Sequence, residues 1–272
     1  MAKPKNAMEI FKYLEKSNCR ECGEKTCLAF AGAVLQGRKE ISQCPRLSPE
    51  IINMFSDIKT ASSKSIKEMQ ENFLDEMTKK LKTLKLSDAA KRTGGQFKGN
   101  KLTLKVLGKD FSVNANGKFI TQIHVNHWIA GPFLDYVIYG KGVEPNGSWV
   151  SYRELAEGKG RYPLFQKRCE QSMKRIADTY TDLFDDLVYI FGGQQVAQEF
   201  ESDISVVLYP LPKVPIMVCY WRPEDGMESD LNLFFDKSAD ENLKNGSAFT
   251  LGTGLAQMFE KLATRHGIFE KI

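Results

Sequence analysis

Apolar residues recur along this chain in two rhythms, helical in the front third and alternating beyond it. Asn6 to Glu15 reads as a short helix with Ile10, Phe11 and Leu14 on its buried stripe. Asn6 can cap it, and Glu9 three residues on completes a capping box. CLAFAGAVLQ, beginning at Cys27, predicts a second helix, entered through Thr26 as N-cap and stopped by Gly37. Ser48-Pro49-Glu50 offers a cap, a proline at the first helical position and an acid in the first turn, so the chain is expected to be mostly helical from Ser48 to Leu86. Ile51, Ile52, Met54 and Phe55 suit a first segment there, and Ala61-Ser62-Ser63 a break. Ile66, Met69, Phe73, Met77, Leu81 and Leu84 then recur at steps of three and four, one face of a long amphipathic helix. Its other face is charged with both signs and reads as solvated. Lys91-Arg92-Thr93-Gly94-Gly95 reads as the loop that ends the helical region.

From Lys98 the period changes. Leu102, Leu104 and Val106 alternate with polar residues, and Phe111-Ser112-Val113, Asn116-Gly117 and Phe119-Ile120 predict a hairpin, so a small antiparallel meander is expected. Gln122 to Tyr139 returns to helical spacing, interrupted at Gly131-Pro132, and Ser151 can cap a turn after Trp149. Pro163 to Tyr189 reads as a helix with Phe165, Cys169, Met173, Ile176, Tyr180, Leu183 and Leu187 in register, ended by Gly192-Gly193. Ile204–Tyr209, Ile216–Trp221 and Leu231–Phe235 predict three strands on loops short enough for antiparallel pairing. Leu251-Gly252-Thr253-Gly254 reads as a tight turn before a last helix, Leu255 to Thr264. The fold class is therefore α+β. A small helical module at residues 1–47 leads through a helical connector at 48–97 to a C-terminal α+β domain at 98–272.

The chemistry concentrates in NCRECGEKTCLAFAGAVLQGRKEISQCPR. Cys19, Cys22, Cys27 and Cys44 stand in a C-x2-C-x4-C-x16-C pattern with Pro45 after the last. Four thiolates are a complete ligand set for one tetrahedral metal or one iron–sulfur cubane. Cys19 and Cys22 are close enough for both sulfurs to face one centre. Cys27 opens a helix whose N-terminus, with free N–H groups and the positive end of the dipole, favours an anionic cluster. We read an iron–sulfur site. Structural zinc competes, but zinc sites favour two closely spaced pairs and here the second pair is split by sixteen residues. Two disulfides would be out of place in a reducing compartment.

On Cys19, Cys22, Gly23, Cys27, Phe30, Ala31, Gly37, Cys44 and Pro45, this stretch resembles the small 4Fe-4S domain of the corrinoid iron–sulfur protein large subunit of the carbon monoxide dehydrogenase/acetyl-CoA synthase system, and the same pattern in the B subunit of the Rnf electron-transfer complex. That resemblance implies one 4Fe-4S cluster held by the four matching cysteines and used for low-potential electron transfer or for reducing a corrinoid. It ends there, since no second ferredoxin-type C-x2-C-x2-C-x3-C run follows. The C-terminal part resembles domain of unknown function 3786 through GSWVSYREL, FGG, LPKVPIMVCYW and the LFFD segment, which implies no activity.

Composition narrows the classes. The chain has 272 residues, 42% of them hydrophobic, enough for one small module and one ordinary domain. A net charge of +4, from 38 basic and 34 acidic residues, is too balanced to argue for nucleic acid. No eighteen-residue apolar run and no apolar signal region is present, so a cytoplasmic protein with no membrane segment is expected. Other residues invite chemistry but read as structural. His124 and His127 would share a helix face with no Cys, Asp or Glu beside them. Cys169 and Cys219 lie on apolar positions, Glu224, Asp225 and Asp236 in hairpin turns, and the LGTG turn is neither a G-x-G-x-x-G nor a P-loop. No catalytic constellation emerges, and whether the chain is an enzyme stays open. The expected function is that of an electron-transfer or redox accessory protein of an anaerobe, carrying one 4Fe-4S cluster and docking a redox partner, in the resemblance a corrinoid protein. Two alternatives stand beside it. One is a C-terminal domain that binds or acts on a small molecule, with His124, His127, Arg153 or Arg222 lining a deep pocket and the cluster as electron donor or brace. The other is a zinc-held binding module.

Overall fold

The computed structural model of this chain describes residues 4, 6–36, 39–55, 63–121, 123–197, 199–224 and 226–265. They form two units, Met1–Phe73 and Leu74–Ile272.

In the first unit, Asn6 accepts the Glu9 N–H at 3.1 Å and opens α1 (Ala7–Phe11). The helix is shorter than its pattern predicts. After Phe11 the chain tightens into turns, with the Tyr13 N–H on Ile10 O and the Leu14 N–H on Phe11 O, which still bury Leu14. Thr26 caps α2 (Cys27–Leu35) as expected, and Gly37, its predicted stop, lies outside the described residues. A 3₁₀ turn (Ile41–Gln43) and α3 (Pro49–Phe55) follow. Ile10, Leu14, Phe30, Ala31, Val34, Ile41, Leu47 and Phe55 make this unit's core.

The long helix α4 spans Ser63–Leu81; the expected break at Ala61-Ser62 lies outside the described residues. Of its apolar stripe, Met77 and Leu81 are buried while Met69 and Phe73 are exposed. The residues expected to be a loop are partly helical. α5 (Leu86–Thr93) includes Lys91 to Thr93 and stops only at Gly94, whose left-handed φ of 71° closes it.

The meander follows as predicted, with β1 (Gln96–Lys98), β2 (Lys101–Val106), β3 (Lys109–Asn114) and β4 (Phe119–Thr121) paired in sequence order. Helix α6 (His127–Tyr139) begins five residues later than expected and passes through Gly131-Pro132 without interruption. An interior proline costs about 3 kcal/mol, but every residue from Trp128 to Val137 is buried, and burial on that scale outweighs it.

The second sheet is antiparallel, in the order β5 (Trp149–Ser151), β9 (Asp230–Asp236), β8 (Val214–Trp221), β7 (Ile204–Leu211), β6 (Gln194–Gln195). Its central strand alternates between two faces, while β7 carries a register shift between Leu208 and Leu211. Ile216, Val218 and Tyr220 of the central strand face the main core, whereas Met217 and Cys219 face a smaller cluster with Trp149, Tyr209, Trp221 and Phe234 on the other side. The predicted helix from Pro163 to Tyr189 is divided. α7 (Tyr162–Phe165) leads through a π-helical turn (Gln166–Glu170) into α8 (Gln171–Ala177), and after a break α9 (Leu183–Phe191) resumes. At the break Asp178 caps α8, its carboxylate accepting the hydroxyls of Tyr220 on β8 and of Ser229 just before β9.

The chain closes with α10 (Ala239–Asn242) and α11 (Asn245–Arg265). Here the structure corrects the predicted turn, since Leu251-Gly252-Thr253-Gly254 is helix interior. A Cβ at Gly252 would lie 2.5 Å from the Phe165 ring, and one at Gly254 would meet Trp128 closer still. The glycines are there for contact between a helix and two aromatic rings. Their N–H groups serve the helix, which removes the phosphate-cradle reading.

Candidate metal centre

The four front cysteines belong to the first unit and hang from its small core. Cys22, Cys27 and Cys44 pack against the side of the Ile10–Phe30–Ile41 cluster, and all four thiols are free and half-buried. Cys19 and Cys22 lie on a loop held in an unusual conformation. Lys16, Asn18 and Arg20 have φ of 61°, 51° and 65°, and Gly23 has 79°. Left-handed positions at non-glycine residues cost on the order of 1 kcal/mol each and persist only where the surroundings hold them.

Asn18 is part of what holds them. Its Oδ1 accepts the Cys27 N–H at 2.8 Å, while its own N–H donates to Cys27 Sγ at 3.4 Å. Thr26 Oγ1 accepts the Ala29 N–H at 3.0 Å, so Cys27 occupies the first position of α2. Lys39 Nζ donates to the Cys22 carbonyl at 2.6 Å and lies where any Cβ on Gly23 would press, 3.0 Å away. Arg46 is the other brace, bound to Glu21 at 2.7 Å and Glu15 at 3.3 Å. The hydrogen bond from Arg46 holds Glu21 below the usual carboxylate range. Those two carboxylates, and the Cys19 sulfur beyond them, hold the guanidinium firmly charged.

Cys44 follows the 3₁₀ turn, its N–H on Ile41 O at 3.2 Å. Burial raises its thiol pKa, the Arg46 backbone N–H opposes this, and the sulfurs of Cys22, Cys19 and Cys27 raise it further. The other three sulfurs are thus each close enough to act on the Cys44 thiol. Among the described residues no group of three or more His, Cys, Asp or Glu is placed to hold a metal ion. The donor chemistry is of the kind an iron–sulfur centre takes: four uncrosslinked sulfurs, two of them receiving backbone N–H groups, and a helix N-terminus beside one.

The remaining sequence candidates stand apart from this site. His124 precedes α6 and is not on it, so it shares no helix face with His127, and both are exposed. Cys169 and Cys219 are fully buried, and burial raises both thiols. Asp236 is structural, its carboxylate accepting the N–H groups of Asn146, Gly147 and Ser238. Glu224 lies in a separate turn, and Asp225 is outside the described residues. Arg153 is spread over the Tyr162 ring, 5.9 Å from its centroid, and Arg222 borders a cleft of ≈ 220 Å³ with Asp182, Asp185 and Asp203. Sequence reasoning overlooked Asn18 and Lys39. An Asn directly before a C-x2-C pair, where a left-handed residue is needed, was the available signal for the first. Among the described residues no helix is long and apolar enough to cross a membrane.

Comparison with known proteins assigns the two parts separately. A family model described as "Domain of unknown function (DUF3786)" matches residues 85–258, and one described as "Putative Fe-S cluster" matches residues 14–46. The front segment is 46% identical over 48 residues to the acetyl-CoA decarbonylase/synthase complex subunit gamma of Methanocaldococcus jannaschii, covering 18% of this chain and 10% of that protein. It is 47% identical over 45 residues to the corrinoid/iron-sulfur protein large subunit of Moorella thermoacetica, covering 16% and 10%. A gamma 1 subunit of the same complex from Methanosarcina thermophila matches at 46% over 43 residues, covering 16% and 9%. The chain thus spans about a tenth of the length of these relatives. No solved structure matches it.

Proposed function

The chain belongs to the family described as Domain of unknown function (DUF3786), and on that premise we propose that its front module holds one 4Fe-4S cluster on Cys19, Cys22, Cys27 and Cys44 and exchanges electrons with a partner protein. The observation that carries this reading is the set of four free, half-buried thiols, Cys27 at a helix N-terminus and Cys44 within reach of the other three, in a segment matched by an iron–sulfur family model. When bound, such a cluster supplies one-electron chemistry.

The chain's own residues do the rest. Asn18 and Arg46 direct backbone N–H groups to sulfur, which stabilises the more negative state and raises the potential. Arg46 and Lys39 tie the loop to its surroundings and add positive charge beside the anionic centre. The thiols are only half-buried, so the site lies near enough to the surface of its unit for transfer to a docked protein. The names of the relatives point to a corrinoid protein of one-carbon metabolism as that partner, and we place the exchange in the cytoplasm.

Anaerobic purification tests the reading directly. Brown protein with about four irons and four labile sulfides per chain, losing its visible absorbance in the Cys27→Ser variant, is expected. Colourless protein carrying one zinc overturns it.

A further inference from the structure

The π-helical turn Gln166–Glu170 lies beside a cleft of ≈ 510 Å³ that the electron-transfer reading does not use. π turns inside helices are rare and recur at functional sites, because the extra residue re-aims a side chain. Glu170 ends the turn and lines the cleft, yet it is only 2% exposed. Its Oε1 accepts the Leu233 N–H and its Oε2 the Tyr162 hydroxyl, both at 3.2 Å. Two sets of charges line the cleft. The turn and α8 carry Lys167, Lys174 and Arg175, and the chain entering β9 carries Glu228 and Asp230. Lys174 is paired with Asp178, at 3.2 Å on its own side. Among the described residues neither Lys167 nor Arg175 pairs with Glu228 or Asp230. Asp230 is oriented instead by Leu231 N–H at 2.8 Å and Asn232 Nδ2 at 3.0 Å. Opposite charges are thus held apart over a space of small-molecule size.

We propose that this cleft binds a small dipolar molecule of the α-amino acid class, its carboxylate on Lys167 and Arg175, its ammonium on Glu228 and Asp230, and Glu170 at the floor. A ligand with one charge would leave one set uncompensated, and a neutral one both. Burial pushes the Glu170 carboxyl up to about 7, so near neutrality it can accept or give a hydrogen bond.

The test is titration calorimetry of the full chain with the twenty L-amino acids. The best binder is then repeated as its N-acetyl form, which lacks the ammonium, and as its carboxamide, which lacks the carboxylate. At least one amino acid should bind with Kd near or below about 1 mM, and each one-charge form should bind about tenfold more weakly or worse. The Lys167→Glu/Arg175→Glu double variant changes only exposed residues, so it should keep the parent circular dichroism while losing about tenfold in affinity. No heat from any amino acid up to roughly 10 mM overturns the proposal. So does equal binding of the one-charge forms, or full affinity in the double variant. The readout is independent of cluster content.

Discussion

Replacing Glu170 by Gln should make this protein more stable at pH 8 and leave it nearly unchanged at pH 5. The carboxyl is buried in the second unit, and that burial is the main reason its pKa stands at about 7 instead of 4.5. The Leu233 N–H and the Tyr162 hydroxyl pull the pKa down, Asp230 pushes it up and Arg153 pulls it down, and none cancels the loss of water. Between pH 4.5 and 7 the folded chain keeps a proton that the unfolded chain has released. Stability must therefore fall as pH rises through that window and level off above it. The rise of about 2.5 pH units corresponds to about 3 kcal/mol, as an order of magnitude. Gln keeps the shape and an oxygen for the Leu233 N–H, and its amide can donate to the Tyr162 oxygen, so little is lost at low pH. Urea unfolding of parent and variant at a series of pH values measures the difference, in which other titrating groups cancel. Tryptophan fluorescence suits the purpose, because the chain's 3 tryptophans, Trp128, Trp149 and Trp221, all lie in the second unit. A stability difference that stays flat from pH 5 to 8, or a variant weaker at pH 8, would refute the reasoning.

Three further changes probe other parts of the molecule. Gly254→Ala puts a methyl group into the Trp128 ring and should cost about 1–3 kcal/mol, read as a lower Tm, despite the better helix propensity of Ala. Asp236→Ala strands the buried N–H group of Ser238 and removes the acceptor of the more exposed Asn146 and Gly147 N–H groups, and should cost about 1–3 kcal/mol; Asp236→Asn, which keeps an acceptor, should recover part of that Tm loss. Asn18→Ala removes the acceptor for the Cys27 N–H from a left-handed position. It should speed chelator-driven bleaching of the visible absorbance about fivefold, the equivalent of roughly 1 kcal/mol, and unchanged bleaching would show that Asn18 does not brace the site.

Local signals carried much of the architecture. Asn6 and Thr26 cap the helices they were expected to cap, and Ser151 caps its expected turn, where the structure adds a capping box with Glu154 that the sequence pattern predicts only at Asn6 and Glu9. The meander and the three long strands follow their alternation. The misses share a cause. Pro132 and Gly254 are punctuation to a local reader, yet both lie inside helices because residues distant in the chain pack around them. At the break after α8, Asp178 is bonded to Tyr220 and Ser229, residues some forty to fifty positions further along the chain. Glu170 had no signal at all, being one acid in a charged helix until the π turn directs it inward.

The front of the chain was decided by its own sequence. The cysteine spacing, the Thr26 cap and the following apolar helix act within thirty residues, where neighbours in sequence are neighbours in space. The second unit needed the tertiary structure, because burial, and with it the altered protonation of Glu170 and the opposite charges of its cleft, arises only when α8 and β9, some fifty residues apart, are brought together. Desolvation is a property of a packed environment, and no single segment of sequence contains it.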